Sequence, residues 1–200
     1  MANTDSPWGL KPILLDESKD CHMYPITSNY ATALFHNDPV VRVTAGTIER
    51  AAAGGAVLGS IVALFSQSPA NQFFPDNLTP VQYMPASAGA TTQYWALVCD
   101  NPHMFFTIQE DGDTTPITQA MIGNNVDMIF THAGNTTTGV SGCEIDSDTN
   151  SVNEDVQLKL ISLADHIEPG SGVRTLINSA NSKWVVKINE HQLGSYTVGI

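Results

Sequence analysis

The residues with the most chemical potential form a few short motifs, and each departs from the pattern that it resembles. Residues 144–150 resemble the start of a calcium loop, because Asp146, Asp148 and Asn150 place oxygen-bearing side chains at its first, third and fifth positions. Position six is Ser151 instead of glycine, and position twelve is Gln157 instead of glutamate. We therefore interpret this segment as a polar turn between strands rather than an ion site.

Motifs for a nucleophile, a phosphate loop and a histidine metal site are also incomplete. Residues 139–143 resemble a nucleophile elbow, but Cys143 replaces the last glycine of G-x-S-x-G, which favours a tight turn. Residues 54–60 are rich in glycine yet lack the G-K-[ST] ending of a phosphate loop. The six histidines show neither HxH nor HExxH spacing. The motifs therefore predict no catalytic residue, no cofactor and no metal site.

Glu190 and His191 are neighbours near the end of the chain and could form an acid–base pair. Adjacent residues of a strand point to opposite faces, so a structural hydrogen-bonded pair is the favoured interpretation. Carboxylates are numerous, and a hydrolase assembled from residues distant in sequence stays open as an alternative.

Positive charge is scarce and unevenly distributed along the chain. The 200 residues include 8 Lys and Arg against 20 Asp and Glu, which gives a formal net charge of −12. Residues 51–158 contain no Lys or Arg but 11 acidic residues, so the cations lie toward the two ends. Nucleic acids and anionic membranes both require clustered cations, and we expect neither as a partner.

The composition indicates a globular protein made in a reducing compartment. Hydrophobic residues make up 42% of the chain, enough to bury a substantial core. The first residues lack the basic and apolar regions of a signal peptide, and the longest apolar run, residues 51–65, is too short to span a bilayer. Three widely spaced cysteines without a CxxC motif predict free thiols, and we expect synthesis in the cytoplasm.

Short strands separated by turn-forming residues dominate the pattern. Residues 110–113 predict a hairpin turn, residues 117–122 a short helix, and the proline-rich residues 66–92 a long loop. β-Branched and alternating runs predict strands at residues 40–43, 57–65, 93–98, 104–109, 156–160 and 183–189.

These elements predict a mainly β fold of small β-barrel or β-sandwich units, with one or two short helices and an extended N-terminal arm. We expect the arm at residues 1–24, a barrel-like or sandwich-like region at residues 25–99, and a second β-rich region at residues 100–200. The two β-rich regions can form one continuous domain. The apolar residues of the arm can dock either on this domain or on a partner.

Several short motifs follow one another in a characteristic order. The chain begins M-A-N, followed by S-P-W-G-L-K-P-I at residues 6–13 and Y-A-T-A-L-F at residues 30–35, with D-P-V at residues 38–40. Further motifs are D-N-P at residues 100–102, Q-E-D at residues 109–111 and I-N-E-H at residues 188–191. Their shared order, from about residue 1 to residue 191, resembles a group of tailed-phage virion proteins. That group is similar to the head decoration, or capsid cement, proteins of phages that infect cyanobacteria and marine bacteria.

The resemblance implies a structural, non-enzymatic protein on the exterior of the virion. Such proteins bind the major capsid protein, commonly as homotrimers at local threefold positions, and clamp neighbouring capsomers against internal pressure. Aromatic and aliphatic residues of the arm and the long loop are the candidate capsid or partner contacts, with core packing as the alternative for each. These candidates are Trp8, Leu10, Ile13, Phe73, Phe74 and Tyr83.

The uneven charge adds an expectation about orientation. The terminal segments, which carry the cations, are expected to lie nearer the capsid, and residues 51–158 are expected to contribute most of the solvent-facing surface. Another virion binding module, such as a head fibre or a tail-associated protein that binds carbohydrate, is the first alternative function. A hydrolase is a more distant one.

Overall fold

A computed structural model describes residues 2–67, 78–88, 92–170 and 172–194. The predicted mainly β class is confirmed, because the described residues form fourteen strands, one four-residue helix and one short 3-10 turn. The strands are β1 (Lys11–Pro12), β2 (Cys21–Pro25), β3 (Leu34–Phe35), β4 (Pro39–Arg42), β5 (Ile48–Arg50), β6 (Gly59–Gln67), β7 (Pro80–Val81), β8 (Tyr83–Met84), β9 (Gln93–Cys99), β10 (Phe105–Gln109), β11 (Asn125–Ile129), β12 (Glu144–Ser151), β13 (Leu158–Leu163) and β14 (Lys183–Ile188). The helix α1 spans Glu17–Asp20 and the 3-10 turn spans Gln119–Met121.

Two six-stranded sheets and a two-stranded ribbon organise these strands. Sheet A has the order β1-β10-β14-β13-β11-β12. Sheet B has the order β2-β9-β6-β4-β5 with β7 paired to β6, and β3 with β8 forms the ribbon. An isolated bridge between Glu110 and Ile145 brings β12 back to the end of β10. Sheet A therefore curls into a partly closed barrel.

Alternation along the strands of sheet A separates a core face from an outer face. Phe106 and Ile108 of β10 are buried in the core together with Trp184 of β14, whereas the residues between them point outward. Cys99 of sheet B and Val57, which lies just before β6, close this core on one side. A second, smaller core packs on the other face of sheet B. Sheet B is built from residues 21–99 and sheet A from residues 105–188 plus β1, and the two sheets share the larger core.

The N-terminal arm lies against this body. The buried Asn3 carboxamide accepts a hydrogen bond from the Leu176 N–H at 2.7 Å and donates to the carbonyl of Leu176 at 2.9 Å. Gly9 has a φ of 75°, and a Cβ there would lie 2.5 Å from the carbonyl oxygen of Asn37. Only glycine permits this close passage of the arm. The next residue, Leu10, enters the larger core.

Two local predictions are wrong. Residues 110–113 do not form a hairpin turn, because β10 pairs with β1 and β14 rather than with the strand that follows it. Residues 144–150 are not a turn but part of strand β12, which pairs with β11. Polar side chains occupy most of β12 and bond to neighbouring loops, as when the Ser147 hydroxyl donates to Asp111 at 2.8 Å. Apolar alternation is therefore nearly absent from this strand.

The three cysteines are free and buried. Cys21 and Cys99 are 78 residues apart in sequence, yet they are direct cross-strand partners on β2 and β9. Burial raises the pKa of Cys21 to about 11 and that of Cys99 to about 12, so both are thiols at neutral pH.

Candidate functional site

The indole of Trp8 forms a wall between two surface cavities where the arm meets sheet A. Its Nε1 donates to the carbonyl oxygen of Thr107 at 3.2 Å, and its ring packs against His166 with 4.9 Å between ring centres. The side chain is half-buried and lines both cavities. Trp8 is thus an aromatic surface fixed by the barrel on one side and accessible on the other.

The first cavity has a volume of about 320 Å³ and mixes apolar and charged groups. Its rim holds the Asp165 carboxylate, which pairs with Arg174. An aromatic plane beside a cation and a few polar groups suits a partner side chain or a small polar ligand. The lining residues are Trp8, Lys11, Ile13, Thr107, Ala164, Asp165, His166 and Val185.

The second cavity, of about 480 Å³, contains an exposed histidine held by a buried carboxylate. His132 Nδ1 lies 2.5 Å from Glu144 Oε2, and Glu144 Oε1 accepts from Gln109 Nε2 at 2.8 Å. The hydrogen bond to Glu144 raises the pKa of His132, and burial raises the pKa of Glu144. This pair can hold or accept a proton at the cavity wall.

Ser141 lines the same cavity, but its hydroxyl is already engaged. It donates to Asp38 Oδ1 at 2.5 Å and accepts from the Cys143 N–H at 3.1 Å. Burial raises the pKa of Asp38 to about 6. The segment that resembles a nucleophile elbow is therefore tied to Asp38.

The arm also covers one part of the outer face of sheet A. Lys183 is wholly buried, and its Nζ donates to Glu168 Oε2 at 3.0 Å and to the Thr4 carbonyl at 2.6 Å. Its cross-strand partner Gln109 accepts from the Ser6 N–H at 2.9 Å. We call Gln109 and Lys183, together with Glu168 and the arm residues that lie over them, the covered half of the outer face.

The carboxylate in the covered half is charged. Burial alone would raise the pKa of Glu168, but the Thr4 N–H at 2.9 Å and the Lys183 ammonium hold that pKa below its ordinary value. The covered half is therefore a buried ion pair supplied with hydrogen bonds by the arm.

The sequence-predicted contacts in the arm separate into two groups. Trp8 and Ile13 meet at the first cavity. Leu10 is fully buried, and its carbonyl accepts from the Ser60 hydroxyl at 2.5 Å. Leu10 is therefore a core residue of this chain and offers no side-chain surface to a partner, which corrects its assignment as a contact.

The predicted contacts of the long loop are only partly described. Tyr83 lies in the ribbon and stacks on Phe35, with ring centres 5.4 Å apart. Phe73 and Phe74 lie outside the described residues. The structure therefore brings Trp8 and Ile13 together and places Tyr83 on a different element.

The remaining motifs do not form a reaction centre in the residues that the structure describes. His191 is buried, and its Nδ1 accepts from the Leu193 N–H at 3.0 Å rather than pairing with Glu190. Burial lowers the pKa of His191 to about 4. Within the described ranges, no three His, Cys, Asp or Glu side chains form a group that could hold a metal ion. In the same ranges, no helix has the length and apolar character to cross a membrane.

Sequence reasoning missed most of the first cavity. Thr107, His166 and Val185 reach Trp8 only because β1 pairs with β10 and the segment after β13 folds back over the arm. Outward alternation along β10 and β14 was readable in the sequence, but the register between strands was not.

Comparisons with protein families, with characterised proteins and with solved structures give no match to this chain.

Proposed function

We propose that this chain is a structural virion protein that binds the outer surface of a phage capsid and stabilises it by bridging neighbouring capsomers. The ordered motifs along the chain support this role, and the structural observation that carries it is the Trp8 surface. There an accessible indole and Ile13 flank a preformed cavity on sheet A. Its partner would be the major capsid protein, which it would bind on the exterior of the virion as a homotrimer. The chain would be synthesised in the host cytoplasm.

Aromatic anchors on preorganised surfaces carry a large share of binding free energy. Truncation of such a residue typically costs about 2 kcal/mol or more, which corresponds to roughly 30-fold in affinity. The Trp8 indole needs little further ordering, because Thr107 and His166 already hold it.

The test is binding to expanded capsids prepared without this protein. The chain should saturate at a fixed number of copies per capsid and raise the temperature at which capsids open. Trp8→Ala should bind roughly 30-fold more weakly, while Tyr94→Ala, a half-buried aromatic of β9 that packs on the smaller core, serves as the aromatic control. Absence of wild-type binding to both unexpanded and expanded capsids would refute the proposed function.

A carbohydrate-binding virion module is the second candidate. The cavities on both sides of Trp8 support it, because hydroxyl and amide groups of Ser6, Asn135 and Thr138 line the second one. Sugars favour an aromatic plane beside such polar groups. A glycan array with wild type and Trp8→Ala would detect this activity. A broad screen for turnover would test a hydrolase built around His132 and Glu144.

A further inference from the structure

A second part of the outer face of sheet A has no covering segment among the residues that the structure describes. Cross-strand pairing places Phe105 opposite Lys187, and Lys187 opposite Lys159 on β13. The next row places Lys11 beside Thr107, which lies opposite Val185. We call this surface the open half, and it consists of Lys11, Phe105, Thr107, Lys159, Val185 and Lys187. Its lysines come from three distant parts of the sequence.

The lysines of the open half have no carboxylate partner within the described ranges. All eight Lys and Arg of the chain fall in those ranges, and ion pairs there engage Lys19, Arg174 and Lys183. Arg50 lies over the ring of Phe130, 4.6 Å from its centre. A chain with a net charge of −12 thus presents, on one face of one sheet, three cations that pair with no carboxylate of the described part of the chain.

The arrangement of two of these lysines is locally unfavourable. Lys159 and Lys187 are direct cross-strand neighbours, and like charges in such positions destabilise a sheet. A carboxylate from another molecule placed between them would convert this repulsion into two attractions.

Strand β14 shows the same kind of side chain with and without a covering segment. Lys183 lies under the arm and donates to Glu168, whereas Lys187, four residues further along the same side of the strand, faces outward. The covered half has received its carboxylate from within the chain. In the open half, no described segment of the chain supplies a carboxylate to Lys159 or Lys187.

Apolar side chains accompany the lysines. Phe105 is 45% exposed in the row of Lys187, and Leu14, which is 94% exposed, follows Ile13, whose N–H donates to the Phe105 carbonyl at 2.9 Å. Exposed apolar surface beside unpaired charge is typical of a protein–protein interface. The Trp8 cavity borders the same surface through Lys11, Thr107 and Val185.

We infer that the open half docks an acidic surface of another protein, with carboxylates opposite Lys159 and Lys187 and an apolar side chain against Phe105. This inference rests on the proposed capsid-binding role and specifies the chemistry of the capsid surface that is bound. A nucleic acid is a poor occupant, because three lysines do not offset repulsion between phosphates and a chain of net charge −12. A second copy of this acidic chain is the other occupant that the test must distinguish.

Charge reversal separates the inference from the proposed function. The double variant Lys159→Glu/Lys187→Glu should bind expanded capsids about 10-fold or more weakly than wild type. The difference in affinity between wild type and variant should shrink as the salt concentration is raised. Lys19→Glu/Arg42→Glu is the matched control, because both residues are exposed cations outside sheet A and the two reversals lower the net charge by the same amount. Unchanged melting temperatures would show that all variants are folded.

The outcomes point to different conclusions. If wild type does not bind capsids, the proposed function and this inference both fail. If wild type binds and the double variant binds equally well, this inference alone fails. Carbodiimide cross-linking on loaded capsids adds a direct readout, because it joins amines to carboxylates in contact. Links from Lys159 and Lys187 to the capsid protein support the inference, whereas links only to other copies of this chain overturn it.

Discussion

The two halves of the outer face of sheet A share the same strands but differ in what lies over them. In the covered half, the arm and the segment around Glu168 surround Lys183, which is wholly buried and donates three hydrogen bonds. In the open half, Lys159 and Lys187 face each other with no carboxylate partner among the described residues. The difference shows that a lysine on this face can be buried when a segment that supplies a carboxylate lies over it.

A covering segment also changes the role of each lysine. Removing a cation from the covered half would leave a buried carboxylate without its partner, which is costly. Removing one from the open half would take away only solvated charge. The covered half therefore belongs to folding, and the open half is available for binding.

The largest difference in stability should appear when the same Lys→Met substitution is made separately in the covered half and in the open half. Lys183→Met should lower the free energy of unfolding by about 3–5 kcal/mol, because Glu168 stays buried and charged without its ammonium partner. Lys187→Met should change it by less than about 0.5 kcal/mol, as expected for a surface site. Urea unfolding at neutral pH measures both values.

A partner variant checks the cause. In Lys183→Met/Glu168→Gln the buried charge is absent, so most of the loss should be recovered. Equal losses for Lys183→Met and Lys187→Met would contradict the distinction between the two halves.

Glu110 is a buried carboxylate with no cation partner among the described residues, and its ionisation makes the stability of the fold depend on pH. Glu110 is fully buried and accepts from neutral donors, the Ser182 hydroxyl at 2.7 Å and the Trp184 Nε1 at 3.2 Å. Burial raises its pKa from 4.5 to about 7. Between these values the folded chain holds a proton that the unfolded chain has released, so stability falls as pH rises.

The variant Glu110→Gln removes this dependence. The unfolding free energy of wild type, relative to Glu110→Gln, should decrease by roughly 3 kcal/mol between pH 4 and pH 8. Glu168 has the opposite sign, because its lowered pKa gives stability that is present above its ordinary pKa and lost as pH falls. A wild-type minus variant difference that stays constant with pH would refute the account of Glu110.

The smallest effect is an increase in stability from the open half. Lys187→Glu replaces the repulsion with Lys159 by a cross-strand ion pair, and should raise the free energy of unfolding by about 0.2–1 kcal/mol. The same change should weaken capsid binding. Thermal unfolding in low and high salt measures the first effect, and salt should diminish it. A clear loss of stability would show that Lys187 already has a stabilising role in the free chain.

The sequence was informative where period-two alternation was strong. The strand predicted at residues 183–189 is β14 (Lys183–Ile188), and the strand predicted at residues 93–98 is β9 (Gln93–Cys99). β12 escaped prediction because its polar side chains bond to loops instead of following an apolar pattern. Apolar alternation therefore reveals a strand in the sequence alone. A polar strand such as β12 lacks this alternation, because hydrogen bonds to distant loops stabilise it instead.

The candidate site was less predictable, because it depends on pairing between distant segments. Trp8 and Ile13 could be selected as apolar residues of an arm, but the core position of Leu10 required knowledge of where the arm lies. The meeting of Lys159 with Lys187 is a matter of register, which a single sequence does not specify when both residues face solvent.

An image of the loaded capsid tests the central claim most directly. A cryo-electron microscopy reconstruction that resolves this chain on the particle would show which face meets the shell. We expect the open half and Trp8 to lie at the interface, with capsid carboxylates opposite Lys159 and Lys187. A reconstruction with the open half turned to solvent, and the shell contacted through another surface, would contradict it.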